Sequence, residues 1–195
     1  MATQRRIGAE SSQTRTALLD AAQQLMLDDG YAAVTSRRVA AKAGLKPQLV
    51  HYYFRTMDDL FLALLRRGAE QNLARLQGVV ESPDPLRALW EFASDPRGTA
   101  LVQELAALAN HRKVIRSEIA AYAERFRQTE TDVIAKVLAE QGVDTDEYPP
   151  SAVHVLMTGI ARIMALEARL GVTTGHAEAR ELVERQLARL GARPT

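Results

Sequence analysis

Residues 35–54, TSRRVAAKAGLKPQLVHYYF, decide the fold of the N-terminal part of the chain. Gly44 separates two short segments, and glycine tolerates the left-handed backbone that a tight turn after a helix requires. Pro47 suits the first position of a helix, because its missing N–H would have no partner there. Two short helices joined by such a turn predict a helix-turn-helix, a motif whose second helix enters the major groove of DNA.

The second of these helices is predicted to have two different sides. Val50 and Phe54 lie four residues apart and, together with Leu45, are expected to pack inward. On another side, Gln48 can bond the edge of an adenine and Leu49 can touch a thymine methyl. The polar residues expected at phosphate oxygens are Lys46, His51, Tyr52 and Tyr53.

The formal net charge of +1 is small but unevenly distributed. Residues 1–57 hold eight Lys or Arg against four acidic residues, whereas the rest of the chain holds 17 against 20. A local basic excess is what a phosphate-facing module needs. Ordinary solvated surface charge would give the same count, so both interpretations stay open on charge alone.

Apolar residues recur at helical spacing along the chain, and no segment alternates as a strand does. We therefore predict an all-α fold of about nine helices. Glycines expected to end helices are Gly30, Gly44, Gly142 and Gly171. Residues expected to cap the starts of helices are Thr35 or Ser36, Asp84, Asp95, and Thr173 or Thr174.

Several features with fixed spacing surround the predicted helix-turn-helix. They are Gly30-Tyr31 after the first helix, the Ala43-Gly44 turn, the Tyr- and His-rich helix closing on Phe54, and then Asp58, Asp59 and Leu60. In these features the chain resembles the tetracycline-repressor (TetR) family of bacterial regulators over about residues 14–60. The resemblance implies a DNA-binding domain over 1–57, with residues 1–11 flexible, and an effector-binding and dimerisation domain over 58–195.

The resemblance also implies a function. It implies a homodimer that binds a pseudo-palindromic operator in double-stranded DNA, represses transcription, and is released by a small, largely apolar effector. Arg37 falls where family members contact a base or a phosphate. The complete set of predicted DNA-contacting residues is Thr35, Ser36, Arg37, Lys46, Pro47, Gln48, Leu49, His51, Tyr52 and Tyr53.

The chain departs from the family pattern at three positions. Lys46 stands where the family often has a serine that caps the recognition helix. His51 replaces a tyrosine that usually donates to phosphate. Met57 stands where a phosphate-binding lysine is common. These departures concern individual contacts and leave the residue spacing of the motif unchanged.

Two segments in the last third look too apolar for the surface of a monomer. Two such helices from each subunit would form an isologous four-helix contact, although burial in the chain's own core explains the same pattern. The predicted interface residues are Val153, Leu156, Ile160, Met164, Leu182, Val183, Gln186 and Leu187.

An effector pocket is predicted from large, soft side chains and two polar anchors, although these residues could equally fill the core. The predicted lining residues are Trp90, Phe92, Tyr122, Phe126 and Met157, with Asn110 and His111 as the anchors.

Other classes of protein are disfavoured. The absence of cysteine excludes disulfides and thiolate metal sites, and His111, His154 and His176 are expected to be structural or surface residues. We find no glycine-rich phosphate loop and no nucleophile–base pair, so no catalytic residue, metal or cofactor is predicted.

The remaining alternatives are a helical adaptor that binds other proteins and a sequence-blind DNA-binding protein without effector control. No apolar stretch is judged to approach membrane length, so a cytoplasmic protein without a membrane partner is expected.

Overall fold

The computed structural model describes residues 13–191, within which the chain forms nine α-helices, one short 3-10 helix and no strand. The helices are α1 (Gln13–Asp29), the 3-10 helix (Tyr31–Ala33), α2 (Ser36–Lys42), α3 (Pro47–Tyr53), α4 (Met57–Val80), α5 (Pro85–Ala93), α6 (Pro96–Ala109), α7 (Lys113–Glu140), α8 (Pro150–Arg169) and α9 (His176–Gly191). The all-α prediction is confirmed, while the predicted flexibility of residues 1–11 lies outside the described residues.

Side-chain caps fix where several helices begin. The Thr35 hydroxyl accepts a hydrogen bond from the Arg38 N–H at 3.3 Å, which confirms this residue as the cap of α2. Before α4, the Asp59 N–H donates to the Thr56 hydroxyl at 3.1 Å and the Thr56 N–H donates to the Asp59 carboxylate at 3.0 Å. This reciprocal pair is a capping box, which satisfies two backbone donors at once.

The predicted cap of α9 is wrong. The helix begins at His176 instead of directly after Thr173 or Thr174. Gly175 adopts a left-handed backbone with φ of +84°, and its carbonyl accepts from the N–H of Ala179 at 2.9 Å. Because glycine adopts this conformation without a steric cost, the turn continues to Gly175 before helical bonding starts.

The chain packs as two compact units. The first comprises the described residues up to Glu70 together with Leu101–Ala120, and the second comprises Gln71–Ala100 together with the described residues from Ala121 onward. Helices α4, α6 and α7 each contribute residues to both units. The two packing units do not coincide with the predicted domain boundary at residue 57, and a functional division there stays a prediction.

The core of the second unit is formed by α5, α7, α8 and α9 with the end of α4. Trp90 and Leu89 of α5 and Ile134 of α7 are almost completely buried. Burying one large apolar side chain contributes about 1.5–3 kcal/mol, so a cluster of this size is a major source of the stability of the unit. One polar pair lies inside, where the Nε2 atom of His154 is 2.7 Å from the carboxylate of Glu130.

Helix α8 is long and apolar. Its 20 residues reach a mean hydropathy of 1.3 in an 18-residue window, of which 28% is buried. The expectation that no stretch approaches membrane length is therefore wrong for α8 by length and composition. One such helix is weak evidence of a membrane segment, because Met157, Ala161 and Met164 on its inner side pack in the protein core.

Candidate nucleic-acid interface

The turn between α2 and α3 is built as the sequence predicts. Gly44 has a φ of +68°, and its N–H donates to the carbonyl of Ala41 at 3.1 Å. The N–H of Leu45 donates to the carbonyl of Ala40 at 2.9 Å. These two bonds form a Schellman motif, which ends α2 and turns the chain sharply into α3. The helix-turn-helix geometry thus depends on glycine at position 44.

The inner side of α3 is anchored in the first unit. Val50 is 1% exposed and Phe54 is 3% exposed, and Val39 of α2 is fully buried. The guanidinium of Arg15 on α1 stacks over the Phe54 ring, 5.3 Å from its centre. The predicted packing side is confirmed for these residues, whereas Leu45 is only half-buried. Because α3 has just seven residues, this anchoring holds it in place more than its own propensity does.

The outer side of α3 presents polar and aromatic groups to solvent. Tyr52 is 49% exposed, and its ring meets the ring of Tyr53 edge to face at 5.1 Å between centres. The exposed members of the predicted set on α3 and its cap are Lys46, Pro47, Gln48, His51 and Tyr52. Leu49 and Tyr53 are half-buried. The structure therefore brings most of the predicted recognition residues onto one accessible surface.

The start of α2 separates two neighbouring arginines. Arg38 forms an ion pair with Asp29 at 2.5 Å, and Lys42 forms one with Asp28 at 3.2 Å. Arg37 is exposed, and no carboxylate of residues 13–191 lies within ion-pair distance of it. Among these three cations, Arg37 is the one whose charge is uncompensated and available to an anionic partner.

Lys46 precedes α3 without capping it. Its side chain makes no hydrogen bond to the helix, and Pro47 occupies the first helical position. The lysine is exposed, so its ammonium group can reach outward. Arg55, which follows α3 directly, is a third exposed cation and was not among the predicted DNA-contacting residues. Its position directly after Phe54, the last residue of the motif, could have indicated that it lies beside the recognition helix.

The first turn of α4 is tied to a distant part of the same unit. Arg112, which precedes α7, forms an ion pair with Asp58 and lies over the ring of Phe61 at 5.7 Å. Met57, at the position where the family often has lysine, is half-buried. These contacts fix the helix that follows the helix-turn-helix.

The predicted pocket residues belong to both units, and the pocket stays a prediction. Trp90 and Met157 are buried in the core of the second unit, and Phe92 and Phe126 pack against that core. The two predicted polar anchors, Asn110 and His111, are exposed and belong to the first unit. They follow the last turn of α6.

The predicted interface residues also fall into different environments. Met164, Val183 and Leu187 are buried in the core of the second unit of the chain, so these three assignments need correction. The half-buried members are Val153, Ile160 and Gln186. By contrast, Leu156 is 66% exposed and Leu182 is 51% exposed. Periodicity identified two apolar helices but could not tell their inner sides from their outer sides.

The helix-turn-helix formed by α2 and α3 is a motif through which many helical regulators bind DNA. The family model "Bacterial regulatory proteins, tetR family" matches residues 18–64. The HTH-type transcriptional repressor BepR of Brucella suis is 29% identical over 67% of this chain and 66% of its own length. The HTH-type transcriptional regulator BetI of Rhizobium meliloti is 42% identical over 27% of this chain and 26% of its own. The chain thus spans less than two thirds of these relatives.

Solved structures extend the similarity over the whole fold. A TetR-family regulator from Rhodococcus sp. superposes with a TM-score of 0.72 at 19% identity, covering 93% of this chain and 100% of its own. The multidrug binding protein EbrR, solved with imidazole, superposes with a TM-score of 0.57 at 27% identity, covering 94% and 98%. Over residues 18–64 the chain is thus similar to the TetR family of bacterial regulators, and the described part of the chain shares the fold of these solved structures.

Proposed function

We propose that this chain is a transcription regulator that binds a specific operator through α2 and α3. The observation that carries the proposal is the division of α3, which buries Val50 and Phe54 while it exposes Gln48, His51 and Tyr52. Such a helix is held rigidly and still offers hydrogen-bonding groups of the kind that bond base edges and phosphates. The matched relatives BepR and BetI are described as a repressor and a regulator, which favours this over an enzyme.

We assign the contacts by chemistry and accessibility. Gln48 and Leu49 would meet base edges, and Tyr52, which is 49% exposed, would lie against the backbone or a base. Arg37 and Lys46 would bind phosphates, since no carboxylate in the described part of the chain neutralises either. Thr35 has its hydroxyl oxygen engaged by the Arg38 N–H, so its role is mainly to position α2.

Operator binding would require a dimer, for which α8 offers a surface. One side of α8 exposes a row of aliphatic residues at helical spacing around Gly159, namely Leu156, Ile163 and Leu166, and Leu170 is exposed directly after the helix ends. Exposed rows of this kind mark protein interfaces, because water is a poor partner for them. Packing this row against its copy, with Leu182 of α9 beside it, would make an isologous contact. The two recognition helices would then need a spacing of about 34–36 Å.

We further propose that a small-molecule effector controls DNA binding. EbrR is described as a multidrug binding protein, which supports a small-molecule effector for this chain. Three contacts within the first unit join its late residues to the helix-turn-helix region. The Tyr31 N–H donates to the Glu104 carboxylate at 2.9 Å, Arg66 pairs with Glu118 at 2.7 Å, and Arg112 pairs with Asp58.

These contacts suggest a route for effector control. Helices α6 and α7, which carry Glu104 and Glu118, continue into the second unit. A ligand in the second unit that shifts α6 or α7 would therefore pull on these contacts and move α4. A difference of about 1–3 kcal/mol between the two conformers gives a response of several-fold to a hundred-fold. We also expect the protein to be cytoplasmic, where its operator lies.

A gel-shift titration tests the DNA-binding proposal. An operator selected from genomic fragments and a random duplex of equal length are compared over a range of salt concentrations. We expect the operator to be retained at physiological salt by a factor of about 10³ or more over the random duplex. Equal affinity for both duplexes, with one steep salt dependence, would show a sequence-blind protein and contradict the proposal.

A further inference from the structure

A cleft in the second unit lies away from the aromatic core. Its volume is about 290 Å³, and it is bounded where α5 ends, α6 begins and α8 approaches α9. Its apolar wall is formed by Ala161, Met164 and Ala165 on the inner side of α8. Since a water molecule occupies about 30 Å³ of liquid, this space suits a compound of about ten non-hydrogen atoms.

The polar side of the cleft is cationic. Arg169 near the end of α8 and Arg180 of α9 both line it, and no carboxylate of residues 13–191 forms an ion pair with either. His176 also lines the cleft, and its Nε2 atom is 2.8 Å from the carboxylate of Glu167. No residue that lines this cleft is acidic. Two guanidinium groups beside an apolar wall match a compound with one anionic end and one apolar end.

A buried hydroxyl group lies at the same place. Ser94 lines the cleft, and its hydroxyl oxygen is buried with no described polar atom within hydrogen-bond distance. Buried polar groups are nearly always paired, because an unpaired one costs about 1–3 kcal/mol. Ser94 is therefore a group that a ligand could satisfy once its hydroxyl, which is closed to solvent, rotates toward the cleft.

The neighbouring carboxylate does not oppose an anion. Asp95 stands between the lining residues Ser94 and Pro96, and its carboxylate accepts from Arg75 at 3.0 Å and from the Arg97 N–H at 3.1 Å. Burial alone would raise the pKa of Asp95, but these donors outweigh it and hold the pKa below the ordinary value of 3.8. The negative charge of Asp95 is thus already compensated within the chain.

We propose that this cleft binds a small organic monocarboxylate, with Arg169 and Arg180 holding the carboxylate, Ser94 donating to it, and the apolar part lying against α8. The site lies apart from the aromatic residues that sequence analysis selected as a pocket. It rests on the proposed function only in its last step, that the bound carboxylate acts as the effector.

Calorimetric titration of the full chain with benzoate, octanoate and the neutral analogue benzamide tests the site. We expect benzoate or octanoate to bind with a dissociation constant of about 1 mM or tighter, and benzamide at least about tenfold more weakly. Arg169→Gln and Arg180→Gln should each weaken binding about tenfold or more. Arg162→Gln is the matched control, because Arg162 is exposed on the same helix and does not line the cleft.

Ser94→Ala separates a ligand contact from a structural role. The variant should bind the carboxylate several-fold more weakly, while its Tm without ligand stays unchanged or rises, since the hydroxyl has no partner in the chain. Absence of saturable binding by both carboxylates, or binding that Arg169→Gln and Arg180→Gln leave unchanged, would overturn the proposal. Operator gel shifts with and without benzoate are scored separately. The titration measures carboxylate binding whether or not the protein binds DNA, and the gel shift measures operator binding whether or not a carboxylate binds.

Discussion

Helices α3 and α8 both leave large side chains in solvent, but the two exposed surfaces differ in chemistry. On α3 the exposed groups are an amide, an imidazole and a phenol, each of which can form hydrogen bonds. On α8 they are aliphatic, with Leu156 at 66% and Ile163 at 48% exposure. A hydrogen-bonding surface next to uncompensated cations fits nucleic acid, whereas an aliphatic surface fits a second protein surface. The two helices thus favour two different kinds of partner.

Removing the anchor of α3 should have the largest effect. Phe54→Ala empties a site that is 3% exposed in the native chain, which costs about 3–5 kcal/mol of unfolding free energy. Operator binding should be lost with it, because α3 can no longer keep its position. Urea denaturation and gel shifts measure both effects. The control is Tyr52→Ala on the exposed side, which loses only the ring contact with Tyr53, so it should cost about 1 kcal/mol or less and still reduce operator affinity. Equal destabilisation by the two variants would contradict the two-sided picture of α3.

Breaking the surface of α8 should come next. Leu156→Glu places a charge in the proposed interface, so we expect the dimer dissociation constant to rise about tenfold or more, as measured by sedimentation. Operator affinity should fall in parallel at low protein concentration, since the helix-turn-helix of a monomer contacts only one half-site of the operator. Val114→Glu is the matched control, because Val114 is 47% exposed on α7 within the other unit. A Leu156→Glu protein that remains fully dimeric would rule out this surface as the interface.

Neighbouring arginines on α2 give a smaller and sharper test. Arg37→Ala should weaken operator binding about tenfold to a hundredfold, and if its contact is a phosphate the salt slope should fall by about one. Arg38→Ala should weaken binding much less, because Arg38 is already paired with Asp29 at 2.5 Å. Fluorescence anisotropy at several salt concentrations measures both. If Arg38→Ala has the larger effect on DNA affinity, the assignment of these two residues is reversed.

Lys46→Ser should produce the smallest effects, with opposite signs. A serine at this position can accept from a backbone N–H of α3, which should stabilise the chain by about 0.5–1 kcal/mol. The same change removes a cation, so operator affinity should fall several-fold and the salt slope by about 0.9. Thermal denaturation and anisotropy measure the two quantities. A variant with unchanged operator affinity would show that the Lys46 ammonium makes no DNA contact.

Local structure could be predicted from the sequence because its causes are local. The Schellman turn at Gly44, the Thr35 cap and Pro47 in the first position of α3 each depend on residues within one helical turn. The two sides of α3 followed from the four-residue spacing of Val50 and Phe54. The candidate DNA-binding surface could therefore be predicted from about twenty residues of sequence.

The ligand cleft and the interface residues could not be predicted from the sequence in the same way. Met164 and Leu166 are both apolar and two positions apart, yet Met164 is buried in the core and Leu166 is 42% exposed. Which side of α8 faces inward depends on where α5 and α9 pack, and those helices are distant in sequence. The cleft at Ser94 and Arg169 likewise joins residues 75 positions apart in the chain.

Caps, turns and helical periodicity act over a few residues, so local sequence is enough to specify the all-α fold, the helix-turn-helix and the polar side of α3. Long-range packing, in contrast, selects which apolar residues of α8 enter the core and which stay exposed. It also decided that Arg38 is paired while Arg37 is not, since the deciding carboxylate of Asp29 comes from another helix. These choices depend on long-range packing, which local spacing does not encode.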